Sequence, residues 1–520
     1  MSYDANPMVC PHAPLNLYEI NTRLWLKELD VSRLRDVPDA ELDTIAARGF
    51  GLVWLMGVWE PSPHAEAIAK VHPDLAADYR RALPDLEDTD VVASPYAIAR
   101  YRVSARLGGP ADLEHIRARL LRRGIRLILD FVPNHTARDH WLVEARPEIY
   151  VGADERAPAG ETFVAPGGRR LFCGRDPYFP PWTDTAQLDY RRASTRRAMI
   201  DELREVARQC DGVRCDMAML LLSDIFVRTW GRDGVVSPPP DDRADAQFWP
   251  EAIDAVRREK PDFLFMAEAY WGTERRLQQL GFDYTYDKTL YDELMAGRAE
   301  GVTAHLQAGR GRQRRSVRFL ENHDEERAAH RLPIDFHRVA ALITMTLPGV
   351  RLFYHGQMEG ARRKVPVQLA RRPIEAEDPI LTRFYRDLLA ILPDPVLQAG
   401  SWRLLMADRA WQDNPTHSAF VVYGWDGSLL GSGSDGSHRV MVANLGEHRA
   451  QCRVRLGLPG IVGRRITVSE LFAAGDTPIG DGVGATGRPI YLRSGDEICN
   501  EGLFIDLPAR TAQLLRLSPG

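Results

Sequence analysis

Four short segments of the chain lead to residues that could carry acid–base or nucleophilic chemistry. In chain order they are LILDFVPNH (127–135), DGVRCD (211–216), FLFMAEAYW (263–271) and FLENHD (319–324). Each contains an apolar run that leads to a carboxylate, alone or beside His, Asn or Arg. Continuous apolar runs are typical of parallel strands buried on both faces, and barrel enzymes place their chemistry at the C-terminal ends of such strands. The pattern predicts one active site built from several strand ends.

Two of the carboxylates suit the cleavage of an acetal. That reaction passes through an oxocarbenium-like transition state and uses one carboxylate at the anomeric carbon and one acid at the leaving oxygen. Asp216 follows Arg214 by two positions, so their side chains share one face of a strand, and the guanidinium can hold the carboxylate ionised as a nucleophile. Glu268 has a methionine and two aromatic residues nearby, and desolvation would raise its pKa into the range of a general acid.

Eight strand-like runs alternate with amphipathic helices along the first three quarters of the chain. The runs are LYEINTRLWL (17–26), FGLVWLMGVW (50–59), IRLILD (125–130), GVRCD (212–216), FLFMAE (263–268), FDYTYD (282–287), VRFLEN (317–322) and VRLFYHG (350–356). The helix at 111–124 places Leu113, Ile116, Leu120 and Leu121 on one face. Alternating βα units imply a parallel sheet, and eight of them imply closure into a barrel. The predicted fold class is therefore α/β, with a (β/α)8 TIM barrel.

The chain is predicted to contain three regions. The barrel comprises residues 1–135 and 191–397, and a loop insertion after the third strand occupies 136–190, which is rich in Gly, Pro and aromatic residues. Residues 398–520 contain short alternating apolar and polar runs separated by turn residues, which predicts a C-terminal antiparallel β-sandwich.

Composition narrows the class of protein. The chain has 520 residues, a formal net charge of −5 and mixed charges, so nothing indicates a nucleic-acid or anionic membrane partner. The start MSYDANPMVC lacks the features of a secretory signal, and no apolar stretch approaches the length of about 20 residues that spans a bilayer. Six cysteines are widely scattered, which favours reduced thiols over disulfides or a zinc site. These features predict a cytoplasmic protein.

At this point the four segments resemble the four signature regions of the α-amylase superfamily of glycoside hydrolases, in the same order. The resemblance extends to GFGLVWLMGVWEPSP (49–63), SPYAIARY (94–101) and PGVRLFYHGQ (348–357). It implies a retaining mechanism with Asp216 as the nucleophile and Glu268 as the acid/base. It further implies that Asp324 distorts the substrate and stabilises the transition state.

The same resemblance implies a set of residues that bind the sugar. These are Tyr96 as a stacking platform, and His135 and His323 as hydrogen-bond donors. Arg214, next to the nucleophile, and Trp271, beside the presumed acid, are further candidate substrate-binding residues by their positions in the sequence. Asp130 would support the site by pairing with Arg214. Asn134 matches a position that often ligates calcium, but no further set of oxygen ligands is evident in 136–190. The family requires no cofactor, and the metal question is left open with calcium as the candidate ion.

The predicted function is a retaining α-glycosidase that cleaves α-glucosidic bonds in malto-oligosaccharides or a related α-glucan. The alternative is a transglycosylase or phosphorylase that forms the same intermediate from an α-glucoside such as maltose, sucrose or trehalose. A non-catalytic carbohydrate-binding relative would be expected to lack one of the three acids, and none is missing. The basic run ARRK (361–364) follows the eighth strand, and it is interpreted as solvated surface or as a contact for an anionic substrate.

Overall fold

The eight predicted strand regions form a closed barrel. The computed structural model describes residues 15–236, 247–428, 430, 437–457, 461–475 and 488–519. All neighbouring barrel strands pair in parallel, and the first strand closes the barrel by pairing with both the second and the eighth. The barrel strands are β1 (Asn16–Asn21), β2 (Leu52–Met56), β3 (Arg126–Phe131), β4 (Gly212–Cys215), β5 (Leu264–Ala267), β6 (Tyr284–Tyr286), β7 (Ser316–Arg318) and β8 (Val350–Tyr354).

Residues of alternate parity face opposite sides of the barrel wall. In β2, Leu52, Trp54 and Met56 belong to the cluster that fills the barrel, whereas Val53 and Leu55 pack in the core against the surrounding helices. This is the period of two that a strand imposes on its side chains. Because both faces are buried, the strands have the continuous apolar sequences from which they were predicted.

Two of the apolar runs continue past the end of their barrel strand into another element. LYEINTRLWL was predicted as one strand, but Asn21 ends β1 and its side chain accepts a hydrogen bond from the Leu24 N–H at 3.5 Å, which caps the helix Thr22–Glu28. FGLVWLMGVW is interrupted at Gly57, whose φ of 81° turns the chain, and Trp59–Pro61 then pairs with Ile98–Val103 outside the barrel.

Helices surround the barrel and follow most of its strands. None of the helices in the described part of the chain is long and apolar enough to cross a membrane. Leu121 was predicted on the buried face of its helix but is 58% exposed, because it lies about 100° around the helix axis from the buried Leu120. The helices of the barrel half are Thr22–Glu28, Asp39–Ala47, Pro63–Val71, Pro73–Ala82, Pro110–Leu121, Trp141–Ala145, Ala193–Gln209, Ser223–Trp230, Phe248–Arg257, Glu274–Gln279, Lys288–Met295, Ala299–Leu306, Arg310–Gln313, Ala328–Arg331, Ile334–Thr346, Pro379–Ile391 and Pro395–Ala399.

The connection between β3 and β4 contains two small antiparallel pairs. His135–Ala137 pairs with Thr185–Gln187, and Thr162–Val164 pairs with Arg170–Phe172. The first pair brings the beginning and the end of the long connection together beside the end of β3. The boundaries 136 and 190 proposed for an inserted region stay a prediction.

The C-terminal part is built from antiparallel sheets, as predicted. The six-stranded sheet contains Ser401–Leu404, Phe420–Asp426, His438–Asn444, Thr511–Pro519, Arg465–Ala474 and Arg488–Ser494, in spatial order, and the three-stranded sheet contains Met406–Arg409, Ala450–Arg455 and Leu503–Leu507. Both sheets contribute to one apolar core, and the helix Gly495–Glu501 packs beside them. The six-stranded sheet meets the barrel where the Tyr423 hydroxyl donates to the Ile343 carbonyl at 3.0 Å and the Trp425 indole donates to that of Thr346 at 3.1 Å.

Candidate active site

One buried guanidinium gathers carboxylates from three adjacent strands. Arg214 Nη1 lies 2.6 Å from Asp216 Oδ1 and 3.3 Å from Asp130 Oδ1, and its Nη2 lies 2.8 Å from Glu268 Oε2. The parallel register places Asp130 directly beside Arg214, so the ends of β3, β4 and β5 meet at this point. The contacts of Arg214 with Asp216 and Asp130 that the sequence predicted are therefore present.

Arg214 is buried among aromatic rings and carboxylates. Its side chain is 1% exposed, and its guanidinium lies 5.1 Å from the ring of Trp54 and 5.3 Å from that of Tyr96. The Trp54 indole also donates to Asp130 Oδ2 at 3.0 Å. Because both of its terminal nitrogens bind carboxylates, Arg214 orients the acids. Its direct contact with substrate stays a prediction.

Glu268 is positioned and electrostatically tuned by its neighbours. Its Oε2 accepts a hydrogen bond from the Met217 N–H at 2.7 Å, and its Oε1 accepts one from the Tyr270 hydroxyl at 2.6 Å. Burial raises the pKa of Glu268 to about 7, against the opposing charge of Arg214 and with the support of the negative Asp216. A carboxyl group with this pKa can hold a proton near neutral pH and release it, as a general acid must.

Asp216 is buried, and its environment acts on it in two directions. Burial raises the pKa of Asp216 above its ordinary value, although the charge and hydrogen bond of Arg214 oppose this shift. From the sequence, only the Arg214 guanidinium was expected to act on the Asp216 carboxyl. In the structure, burial of Asp216 has the larger effect on its pKa. The next residue, Met217, has a φ of 42°, a conformation that is costly for a non-glycine residue and that aims its N–H at Glu268.

A chain of short polar contacts links Asp324 to the centre of the barrel. His323 Nε2 lies 3.1 Å from Asp324 Oδ2, and His323 Nδ1 lies 2.5 Å from Glu19 Oε1. Although burial acts to lower it, the charges of Asp324 and Glu19 raise the pKa of His323 to about 10, so the imidazolium form is favoured. Burial acts to raise the pKa of Asp324, but the charge of His323 outweighs it and holds that pKa below the ordinary value. The Asp324 side chain is 46% exposed, so it faces the opening of the site.

Glu19 was missed by the sequence argument. It is fully buried in β1, in register with Trp54 and Tyr354, and it shares the inner face of the barrel with Leu17. A carboxylate inside an apolar strand needs a partner, and that signal was present in LYEIN. The partner lies 304 positions away in the chain, so local spacing could not identify it.

Glu19→Gln is expected to lower turnover by about one to two orders of magnitude, because removing the charge weakens the imidazolium that holds Asp324. The pKa of His323 should fall, so above pH 7, where loss of the Glu268 proton already lowers activity, an additional and steeper decline should begin at lower pH than in the parent protein. The measurement is kcat and KM as functions of pH. Glu321→Gln is the matched control, since Glu321 is a buried carboxylate paired with Arg327 at 2.7 Å. An unchanged pH profile for Glu19→Gln alongside normal turnover would contradict this role.

The predicted sugar-contact residues Tyr96 and His135 both lie near this centre. The Tyr96 hydroxyl lies 2.7 Å from His323 Nε2, and its ring stacks on the imidazole with centroids 5.3 Å apart. Burial lowers the pKa of His135 to about 4, which favours the neutral imidazole, and its ring packs 5.1 Å from that of Trp182. Their direct contacts with sugar stay a prediction.

Trp271 forms part of an exposed aromatic wall. Its side chain is 41% exposed and its φ is 60°, and its ring meets that of Tyr178 edge-on at a centroid distance of 4.9 Å. The chain turns at Trp271 and Gly272, three and four residues after Glu268. The role of Trp271 in substrate binding stays a prediction.

A cavity of about 1070 Å³ opens beside Asp324. Its walls include His323 and Asp324, the end of the helix Pro73–Ala82, and the long segment that follows β8. The volume slightly exceeds the range of about 300–1,000 Å³ that is typical of cavities that bind small molecules. A ligand bound in this cavity could therefore reach Asp324.

The residue considered for calcium has protein partners instead. The Asn134 amide donates to Gln187 Oε1 at 3.3 Å and its Oδ1 accepts from Gln187 Nε2 at 3.1 Å. Within the residues that the structure describes, no group of three or more His, Cys, Asp or Glu side chains is arranged to hold a metal ion. The side chain of Asn134, which was considered as a calcium ligand, is thus hydrogen-bonded to the side-chain amide of Gln187.

The chain is similar in sequence to curated α-amylases. α-Amylase MalA of Haloarcula japonica is 26% identical over 356 residues, which cover 66% of this chain and 44% of that protein. α-Amylase 3 of Dictyoglomus thermophilum is 23% identical over 313 residues, which cover 55% of this chain and 57% of that protein. The chain thus spans about half the length of these curated relatives. No family model matches the chain.

The fold is similar to that of a solved amylase structure. A noncanonic maltogenic α-amylase, AmyB from Thermotoga neapolitana, superposes with a TM-score of 0.62 and 19% sequence identity. The match covers 97% of this chain and 98% of that one. This likeness concerns the barrel and the C-terminal antiparallel sheets together.

Proposed function

Because these similarities support the α-amylase superfamily of glycoside hydrolases, we propose that the chain is a retaining α-glycosidase. Its substrates would be α-glucosidic bonds in malto-oligosaccharides or related α-glucans. The observation that carries this proposal is the pair of carboxyl groups, Asp216 and Glu268, bound to the two terminal nitrogens of one guanidinium. This arrangement keeps them close, and retaining enzymes use carboxyl groups about 5–5.5 Å apart.

The proposed reaction has two steps. The Asp216 carboxylate attacks the anomeric carbon and forms an ester while the glycosidic C–O bond breaks, and the Glu268 proton passes to the leaving oxygen. Glu268, now a carboxylate, then takes a proton from water, which attacks the anomeric carbon and releases Asp216. Asp324, held by His323, would stabilise the positive charge that develops on the sugar in both transition states.

The products from maltoheptaose test this function. Shorter malto-oligosaccharides that first appear as the α-anomer would support retaining hydrolysis. Longer products with an added acceptor sugar, or glucose 1-phosphate with added phosphate, would assign the transglycosylase or phosphorylase alternative. If a panel of α-1,4, α-1,6 and disaccharide glucosides remains untouched in all three conditions, the proposed function fails.

Activity is expected to depend on pH through both acids. Glu268 must be protonated in the free enzyme and its pKa is about 7, so kcat/KM should fall about tenfold per pH unit above that value. Asp216 must be ionised, so kcat/KM should also fall as the pH drops through its raised pKa. The measurement is kcat/KM against pH, and a profile that stays flat well above pH 7 would contradict the assignment of Glu268.

A cytoplasmic location is part of the same proposal. Cys173, Cys210, Cys215 and Cys452 are buried and form no disulfide within the part of the chain that the structure describes. Cys10 lies outside the described residues. Free buried thiols favour a reducing compartment. Fractionation of the source cells with an antibody against the protein tests this location.

A further inference from the structure

Three consecutive cationic residues line the cavity beside Asp324. They are Arg362, Arg363 and Lys364, on the segment after β8. The two carboxylate oxygens of Glu375 accept hydrogen bonds from the backbone N–H groups of Arg362 at 3.0 Å and Arg363 at 3.3 Å. The backbone that carries the cations is thus held by a contact within the segment itself.

Lys364 connects this cationic segment to the candidate active site. Its ammonium group donates to the backbone carbonyl of Asp324, and its charge helps to lower the pKa of the Asp324 carboxyl. The Lys364 ammonium therefore contacts the backbone of Asp324, whose side chain is proposed to contact the reacting sugar. A substituent on that sugar, or on the next sugar along, would meet this charge on entering the cavity.

The two arginines have donors available for a ligand. Arg363 makes one long contact, from Nη1 to the Ala82 carbonyl at 3.5 Å, and both arginines are exposed to the cavity. A guanidinium presents several N–H groups in a fixed plane and suits phosphate and carboxylate oxygens. Together with Lys364, the two arginines can donate several hydrogen bonds to an anionic group from one wall of the cavity.

Several acids that line the same cavity are already engaged. Asp378 caps the helix Pro379–Ile391 by accepting hydrogen bonds from the first-turn N–H groups, at 2.9 and 3.1 Å. Asp78 pairs with Arg81 at 2.8 Å, and Glu375 holds the backbone of the cationic segment. Asp324 is paired with His323, and Glu326 and Glu377 remain, so the cavity carries both charges, with the cations concentrated at 362–364.

The cavity also lacks the surface on which neutral sugars stack. No Phe, Tyr or Trp side chain is among its lining residues, whereas more than half of them are charged residues or histidines. Other aromatic rings near the site lie outside this lining: Trp182 packs on His135, and Tyr178 packs on Trp271. The lining therefore suits an ionic substituent better than the apolar face of a glucose ring.

We propose that this cavity binds a phosphate ester carried on the glycon side of the α-glucoside, through Lys364, Arg363 and Arg362. The proposal rests on the α-glycosidase function and adds a preference for anionic substrates. Phosphate suits the wall because its oxygens can accept from several donors at once. A glycon carboxylate would use the same donors, so the experiment separates the two.

The test compares kcat/KM for maltotriose, for maltotriose phosphorylated at O6 of its non-reducing glucose, and for the counterpart oxidised to a carboxylate at that carbon. The same comparison is made with 4-nitrophenyl α-glucoside and its 6-phosphate and 6-carboxylate. We expect a preference of about tenfold or more for at least one phosphorylated substrate over its neutral form. In Arg362→Gln/Arg363→Gln this preference should fall to near unity.

Arg386→Gln is the matched control, since Arg386 is exposed on the helix Pro379–Ile391 and outside the cavity lining. It should retain the preference. Hydrolysis of the neutral substrates without any phosphate preference would overturn the inference and leave the proposed function standing. A preference for the carboxylated substrates would overturn the assignment to phosphate, and cleavage of only the phosphorylated forms would support the inference while contradicting neutral glucans as substrates. If none of the substrates is cleaved, both proposals fail.

Discussion

Asp216→Asn is expected to lower kcat by roughly four to six orders of magnitude, because an amide cannot form the covalent ester. The substitution preserves the shape of the side chain, and Asn Oδ1 can still accept a hydrogen bond from Arg214. The loss should therefore appear in kcat with little change in folding. The measurement is turnover of maltoheptaose together with the midpoint of thermal unfolding.

The control for Asp216→Asn is a second strand-flanking aspartate with an arginine partner. Asp283 precedes β6, accepts from Arg257 at 2.7 Å, and accepts from the Phe265 N–H at 2.8 Å. Asp283→Asn should reduce the free energy of unfolding while turnover stays near the parent value. If Asp216→Asn kept a tenth or more of the parent kcat, Asp216 would not be the nucleophile.

Glu268→Gln should lower kcat by about three to four orders of magnitude on substrates with poor leaving groups, because no acid then protonates the leaving oxygen. With an activated leaving group such as a dinitrophenolate, the first step needs no proton, and the covalent intermediate should accumulate. Added azide should then restore turnover and give a glycosyl azide, since this nucleophile needs no general base. The measurement is kcat for both substrate types with and without azide.

The control for Glu268→Gln distinguishes the effect of a raised pKa from the effect of a position in the active site. Burial also raises the pKa of Glu202 to about 7, but this residue lies on the helix Ala193–Gln209 behind the barrel wall. Glu202→Gln should leave both substrate types at normal rates. Equal losses for Glu268→Gln on activated and unactivated substrates would show that Glu268 has a structural role instead of acid/base catalysis.

The sequence was informative about the barrel and about contacts within one strand or between neighbours. Each of the eight barrel strands overlaps one of the apolar runs, because a strand buried on both faces leaves a continuous apolar signature. The contact between Arg214 and Asp216 follows from the two-residue period, and that between Arg214 and Asp130 follows from adjacent strand ends. Strand limits were less accurate, since the side chain of Asn21 and the turn at Gly57 end strands inside apolar runs.

The contacts that sequence reasoning missed depend on tertiary structure. Glu19 meets His323 only after the barrel closes between β1 and its last strands. The use of the Met217 N–H as a donor to Glu268 requires a left-handed backbone that nothing in MAMLL indicates. Tyr270 was noted as an aromatic neighbour, and its position two residues after Glu268 could have suggested the hydrogen bond that the structure shows.

Trapping of the glycosyl–enzyme intermediate tests the central claim most directly. Incubation with 5-fluoro-α-D-glucopyranosyl fluoride, followed by proteolysis and mass spectrometry, should give one peptide heavier by a fluoroglucosyl group, with the ester on Asp216. Asp216→Asn should give no adduct, and Glu202→Gln should label like the parent chain. An adduct on a different carboxylate, or an active enzyme that is never labelled, would contradict the account.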